Sequence, residues 1–315
     1  MSARIFLSLM VAAVMLMSAA RDVSGQEAHP VAAEQHAAAV EHSEDSIDIL
    51  HHILDDRQIE LPFVGYVPLP PAGSWMLGPV DVTPTKYVIW VWVIGILMLT
   101  IFVPTGIIAK RNQRNASAPK GGQNAIEAIV LFFRDQVIIP NVGHGGEKFV
   151  PFVISLFFFI LIGNLLGMIP YGAAATANIS VTASLAILSL IVIETAGMRA
   201  LGPAGYMKTI FYWNQELPLP LRVAMAFILT PVELLGKLSK PFALAVRLMA
   251  NMTAGKVVLY AMLGLIFLFG SWTIAIAPVA MIVVLSFLKI FVAFLQAYVF
   301  ALLVSVFIGL ITHSH

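Results

Sequence analysis

Cysteine is absent from the 315 residues, and charge is scarce: Asp, Glu, Lys and Arg make up 11% of the chain against 59% hydrophobic residues. The first absence excludes disulfides and thiolate-bound metal. The second excludes an ordinary soluble domain, in which about a quarter of residues are charged. Histidine is missing from every long apolar run, and neither His-Glu-x-x-His nor Gly-x-Ser-x-Gly occurs. An intramembrane zinc or serine enzyme therefore lacks its residues. Gly255 and Lys256 look superficially like a phosphate loop, but the first glycine and the final Ser or Thr are missing, so no nucleotide site is expected. No internal repeat is present, which weakens an inverted-repeat transporter. With a mean hydropathy of +0.91, what is present is an integral membrane protein with little soluble mass.

Residues 1–25 read as a signal peptide, with an uncleaved anchor as the alternative: Arg4 is the basic start, 5–17 the apolar core, and Ser18, Ala19 and Ala20 or Val23, Ser24 and Gly25 the small-residue exit. Residues 26–80 form an acidic segment, with nine carboxylates from Glu27 to Glu60 against the single Arg57. Its histidines (His29, His36, His42, His51, His52) follow no single metal-ligand spacing, and a solvated polar tail is the simpler reading. The membrane domain occupies 81–315.

The first span of that domain is 87–109, anchored by Tyr87, Trp90 and Trp92 and closed by Lys110, Arg111, Arg114 and Lys120. The excess of basic residues places this loop in the cytoplasm and the acidic N-terminal segment outside. Apolar residues at helical spacing in 123–140, interrupted by Glu127, Arg134 and Asp135, predict an amphipathic helix at the inner interface. Spans 149–169 and 179–198 cross outward and back around the uncharged turn 170–178. Two very long apolar segments, 221–269 and 272–312, meet at Gly270 and Ser271. A 41-residue helix rises about 60 Å, twice the roughly 30 Å hydrocarbon core. These two must tilt or bend, with Pro231 and Pro241 as candidate bends. Five spans result, with the C-terminus inside.

Arg247 lies in the first long segment, and an arginine stays charged at any physiological pH. Estimates of its cost at bilayer depth begin near 3 kcal/mol, so an intramembrane arginine is a functional hypothesis by default. Folding the two segments at their turn sets Arg247 level with Gln296, and Lys256 within about one helical turn of Lys289. Arg247, Asn251 and Gly255 recur every four residues and share a face suited to close helix approach. An always-charged group halfway along a tilted hairpin, flanked by polar side chains, suits ion or proton handling. A secondary ion transporter or channel is the competing reading.

Three stretches carry a resemblance. Residues 239–255, with Pro241, Arg247, Asn251 and Gly255, and residues 294–300, with Gln296, are similar to the hairpin signatures of the F-type ATP synthase subunit a family. Residues 163–171, with Asn164, resemble the end of its earlier outward span. The resemblance runs in order over about 80–312. It implies an all-α integral membrane protein with about five transmembrane helices, an interfacial helix and a long tilted hairpin at 221–312. It also implies a proton-translocating stator subunit that serves a rotating c-subunit ring through two offset half-channels.

Under this resemblance Arg247 separates the half-channels and drives deprotonation of the ring carboxylate. Gln296, Asn251, Glu233, Lys256, Lys289 and Asn164 are candidate proton-path residues. The implied partners are the c-ring, b-type peripheral stalk subunits, the catalytic ATPase head and membrane lipid, with no cofactor and no nucleic acid. The implied location is a bacterial inner membrane. One departure stands out: where the family commonly carries a carboxylate and a histidine, this chain has Lys256 and Lys289. Burial and mutual repulsion both favour a neutral amine, so one lysine of the pair is a candidate relay, with a water-filled outer path as the alternative.

Overall fold

The computed structural model describes residues 58–313 apart from 62–64, 71–73, 75, 78–79, 82, 84, 115–120, 144, 170–171, 173, 211–217 and 270–271. The signal-peptide reading and most of the acidic segment lie outside the described residues. Two small antiparallel hairpins come first: β1 (Gln58–Leu61) with β2 (Gly65–Pro68), and β3 (Met76–Leu77) with β4 (Val80–Asp81). After them, the regular elements among the described residues are all helical. The helices are α1 (Lys86–Arg114), α2 (Gly122–Phe132), α3 (Ile139–Val142), α4 (Val150–Leu166), α5 (Ile179–Ile210), α6 (Leu219–Phe269) and α7 (Trp272–Thr312).

Helices α1, α5, α6 and α7 are long and apolar enough to cross a membrane. Helix α4 has 17 residues and a rise of about 26 Å, close to the hydrocarbon thickness. The chain is thus an all-α, multi-pass membrane protein. Helix α5 carries one break at Gly202, whose φ of 71° and ψ of 161° are non-helical and precede Pro203. The helix-disfavoured φ suits glycine, and the proline ring supports the turn. Helix α6 continues through both Pro231 and Pro241 over 51 residues.

The expected interfacial helix forms in three pieces. Between α2 and α3 lies a π-helical turn, Phe133–Ile138. Such a wide turn rotates the following side chains relative to a regular helix. It buries Phe133, Val137 and Ile138 while Asp135 stays exposed. Phe133 packs on Phe157 with ring centroids 4.2 Å apart and meets Tyr298 edge-on at 5.8 Å. At the water-facing edge Arg134 donates to Glu147 at 2.7 Å, and this bond raises the guanidinium pKa still further.

Small residues set the helix spacing, as expected where lipid supplies no hydrophobic contrast. A β-carbon on Gly197 of α5 would come within 2.8 Å of Ile311, and one on Gly163 of α4 within 3.3 Å of Ile94. On α7 the buried stripe is Ala293, Ala297, Phe300, Ala301, Val304 and Ile308, a helical period. On α6 it is Leu244, Leu248, Met252 and Lys256, every four residues. Among the described residues, nothing covers the opposite faces of both helices.

Candidate functional site

The hairpin register can be read from its contacts. The Lys289 side chain lies over Gly255, where an added β-carbon would come within 2.5 Å of its Cε. A pocket of about 190 Å³ is walled by Asn251 and Gly255 on α6 and by Lys289 and Val292 on α7. Continued by about two helical turns, this register sets Gln296 opposite Arg247. Gly255 thus acts as the small residue that admits the partner helix, as its four-residue spacing suggested.

Arg247 neighbours Leu248 of the buried stripe but is itself exposed, on the face that α6 turns away from the bundle. Nothing among the described residues hydrogen-bonds or ion-pairs with it. The guanidinium thus points outward at mid-helix. The reason is its helical phase, about 100° from the stripe that packs on α5 and α7. Large apolar side chains share the outward surface of the hairpin, among them Phe242, Phe287, Phe291 and Leu295.

Two polar regions flank Arg247 along the helix. At the end of the bundle where α5 stops and α6 begins, a cavity of about 610 Å³ opens between α5, α6 and α7. It reaches as far as Leu244, and Glu194, Glu233, Lys208, Lys237 and Lys240 line it. Lys237 Nζ stands 3.8 Å from Glu194 Oε2, donates to Tyr206 Oη at 3.4 Å and lies 4.6 Å from the Tyr206 ring centre. Lys240 sits over Phe307 at 5.0 Å. Glu233 is exposed and close enough to Glu194 to act on it electrostatically.

The second region lies beyond Asn251, toward the hairpin turn. Lys256 is buried and donates to the Gly172 carbonyl at 3.0 Å. Lys289 and the buried Lys86, at the start of α1, are both within electrostatic reach of it. Asn164 is fully buried: its amide donates to Ala293 O at 3.3 Å, and its oxygen accepts from Thr176 Oγ1 at 2.7 Å. Thr253 donates to Ala177 O at 3.4 Å. These bonds fasten loop 174–178 and the end of α4 to the hairpin.

The sequence-predicted residues therefore fall into two groups. Asn251, Lys256, Lys289 and Asn164 gather on the turn side, Glu233 lies on the other, and Arg247 with Gln296 sits between them. Sequence reasoning missed Lys86, Thr176, Lys208, Lys237, Lys240 and Tyr206. Lys86 immediately precedes the aromatic anchor of the first span and was hidden as a flanking charge. Among the described residues, no three His, Asp or Glu side chains gather as a metal site would require.

Comparison with known proteins fits this geometry. The family described as ATP synthase A chain matches residues 88–309. The ATP synthase subunit a of Chloroherpeton thalassium is 41% identical over 269 residues, covering 85% of this chain and 78% of that protein. The ATP synthase subunit a 2 of Chlorobaculum tepidum is 40% identical over 290 residues, covering 91% and 78%. The subunit a of an Anaeromyxobacter species is 42% identical over 246 residues, covering 78% and 58%. With hairpin, arginine and family match all in the same stretch, the chain belongs to the ATP synthase subunit a family.

Proposed function

We propose that this chain is the proton-translocating stator subunit of a rotary ATP synthase in a bacterial inner membrane, with its N-terminus periplasmic and its C-terminus cytoplasmic. The cavity around Glu233 is then the inner half-channel, and the Asn164–Lys256–Lys289 region is the start of the outer one. The c-ring runs against the outward face of the hairpin. Stalk subunits and the ATPase head complete the complex, and nucleotide chemistry belongs to those partners.

One observation carries the reading. Arg247 is exposed on an otherwise apolar, bilayer-depth surface, between a cavity that stops at Leu244 and a pocket that starts at Asn251. Lipid tails cannot satisfy a guanidinium. A moving partner that brings a carboxylate can: at about 4 Å and an effective dielectric near 20, the attraction is about 4 kcal/mol. That is enough to hold a ring carboxylate ionised as it passes. Because arginine keeps its proton, it also blocks direct transfer from one half-channel to the other. A transporter or channel acting alone has no use for a charge aimed away from its own bundle.

The test is ATP-driven acidification of inverted membrane vesicles, comparing native protein with Arg247→Ala at matched assembly. Loss of pumping in an assembled complex is expected. Undiminished pumping overturns the reading.

A further inference from the structure

The inner cavity holds a group whose arrangement the mechanism above does not use. Glu194 lies on α5, and its Oε2 is buried with no hydrogen-bond partner among the described residues. Buried carboxylate oxygens are nearly always bonded, so an unsatisfied one calls for an explanation. Lys237 does not satisfy it: 3.8 Å exceeds hydrogen-bond length. The same ammonium is shared with the hydroxyl and ring of Tyr206. A purely structural ion pair in this setting would be close and fully bonded, because loose pairing does not offset desolvation.

We propose that Glu194 is a proton-transfer residue of the inner path and that Lys237 is its positioning partner; this rests on the functional reading above. Two carboxylates face Lys237. Glu194 approaches it across the α5–α6 contact, and Glu233 precedes it by four residues on α6, a spacing that brings side chains together. Lys237 therefore has two carboxyl partners available and Tyr206 as a resting place.

The step is a simple exchange. A hydronium in the cavity gives its proton to the Glu194 carboxylate, which becomes a carboxylic acid, and Lys237 turns to Glu233 or Tyr206. Release of that proton to cavity water restores the ion pair. No charge or bond is left over. The charged groups facing Glu194 are Lys237, Glu233 and Lys240 from α6 and Lys208 from its own helix, while α7 contributes apolar wall through Val304, Phe307 and Leu310. Among the described residues, the charged groups that govern the exchange therefore come from α5 and α6.

Passive proton conduction through membranes stripped of the ATPase head, measured while inner and outer pH are stepped separately, tests this. Glu194→Gln is expected to cut conduction roughly tenfold, less than the hundredfold or more a sole acid–base group contributes, because Glu233 shares the cavity. Its dependence on inner pH should change and its dependence on outer pH should not. Glu194→Asp should restore most of the flux, and Lys237→Met should displace the inner-pH profile. Arg247→Ala is measured for pumping in parallel. If that variant loses pumping while Glu194→Gln keeps native flux and profile, this inference alone is overturned. If Arg247→Ala pumps normally, the functional reading fails with it. Should Glu194→Gln not assemble, native profiles in both Glu194→Asp and Lys237→Met overturn the proposal.

Discussion

The two sides of Arg247 are built from opposite chemistry. On the side where α5 stops and α6 begins, two carboxylates and three lysines line a cavity of about 610 Å³. Toward the hairpin turn, Lys86, Lys256 and Lys289 share a region with Asn164, Thr176 and the Gly172 carbonyl. Among the described residues, no carboxylate is paired with any of these three lysines. Carboxylates and amines can each exchange protons, but a carboxylate repels anions and an ammonium repels cations, so the two respond differently to the ions around them. On the proposed reading, a proton leaves and enters this subunit through unlike doors. The arginine is the one fixed charge common to both.

The comparison breaks most completely if that fixed charge is made removable. Arg247→Lys keeps a cation but one that can lose its proton when desolvated. Coupled pumping should fall at least about tenfold, equivalent to losing roughly a third of a 4 kcal/mol attraction. Passive conduction through head-stripped membranes should rise at the same time, because the two sides then communicate. A variant that pumps natively without leaking would show that the barrier lies elsewhere.

A smaller effect should come from the lysine side. Lys256→Gln removes both an amine and the 3.0 Å bond to Gly172, whereas Lys289→Gln removes an amine that lies over Gly255. If an amine carries the outer proton, each variant should alter how pumping depends on outer pH, Lys256→Gln more so because its group is the more buried. Neither should alter dependence on inner pH. Profiles native in both variants would exclude a lysine relay and leave water as the carrier. The asymmetry would then be one of charge alone.

Much of this arrangement was legible before any coordinates. The long apolar runs gave both hairpin helices nearly to the residue, since hydropathy ends sharply at Gly270 and at His313. Equal distances from the hairpin turn set Gln296 opposite Arg247, and the observed register agrees because two uninterrupted helices keep step. The direction in which Arg247 points was not legible. Helical phase says which residues share a face, but only packing decides which face is inside. Here Leu244, Leu248 and Met252 outcompete the polar stripe for the bundle. The Glu194–Lys237 pair was hidden for a related reason: it joins different helices, so its existence depends on how α5 is rotated against α6. Thr176 was invisible because its loop read as an uncharged turn, and only the Asn164 amide gives it a purpose. The π-helical turn at Phe133 leaves no mark in hydrophobic periodicity, which still fits a regular helix through 123–140.

The smallest expected effect tests whether the asymmetry belongs to the polar groups or to the packing around them. Gly309 on α7 lies against the backbone carbonyl of Asn141, so an added methyl would overlap it. The neighbour is backbone, not a flexible side-chain end, and Asn141 is held in place by its own bond to Val137 O at 2.6 Å. For Gly309→Ala, α3 must retreat from α7, at a cost of roughly 1–3 kcal/mol as for other overpacked contacts. Leu310 and Ile311, the next residues along, line the cavity of Glu194 and Glu233, so the α3 contact looks the other way from it. The complex should therefore dissociate at a lower temperature in detergent while both pH profiles of pumping stay native. A shifted inner profile would mean that docking of α7 on α3 shapes the cavity that Glu194 and Glu233 occupy. The difference between the two sides of Arg247 would then be a property of the helix packing as much as of the carboxylates.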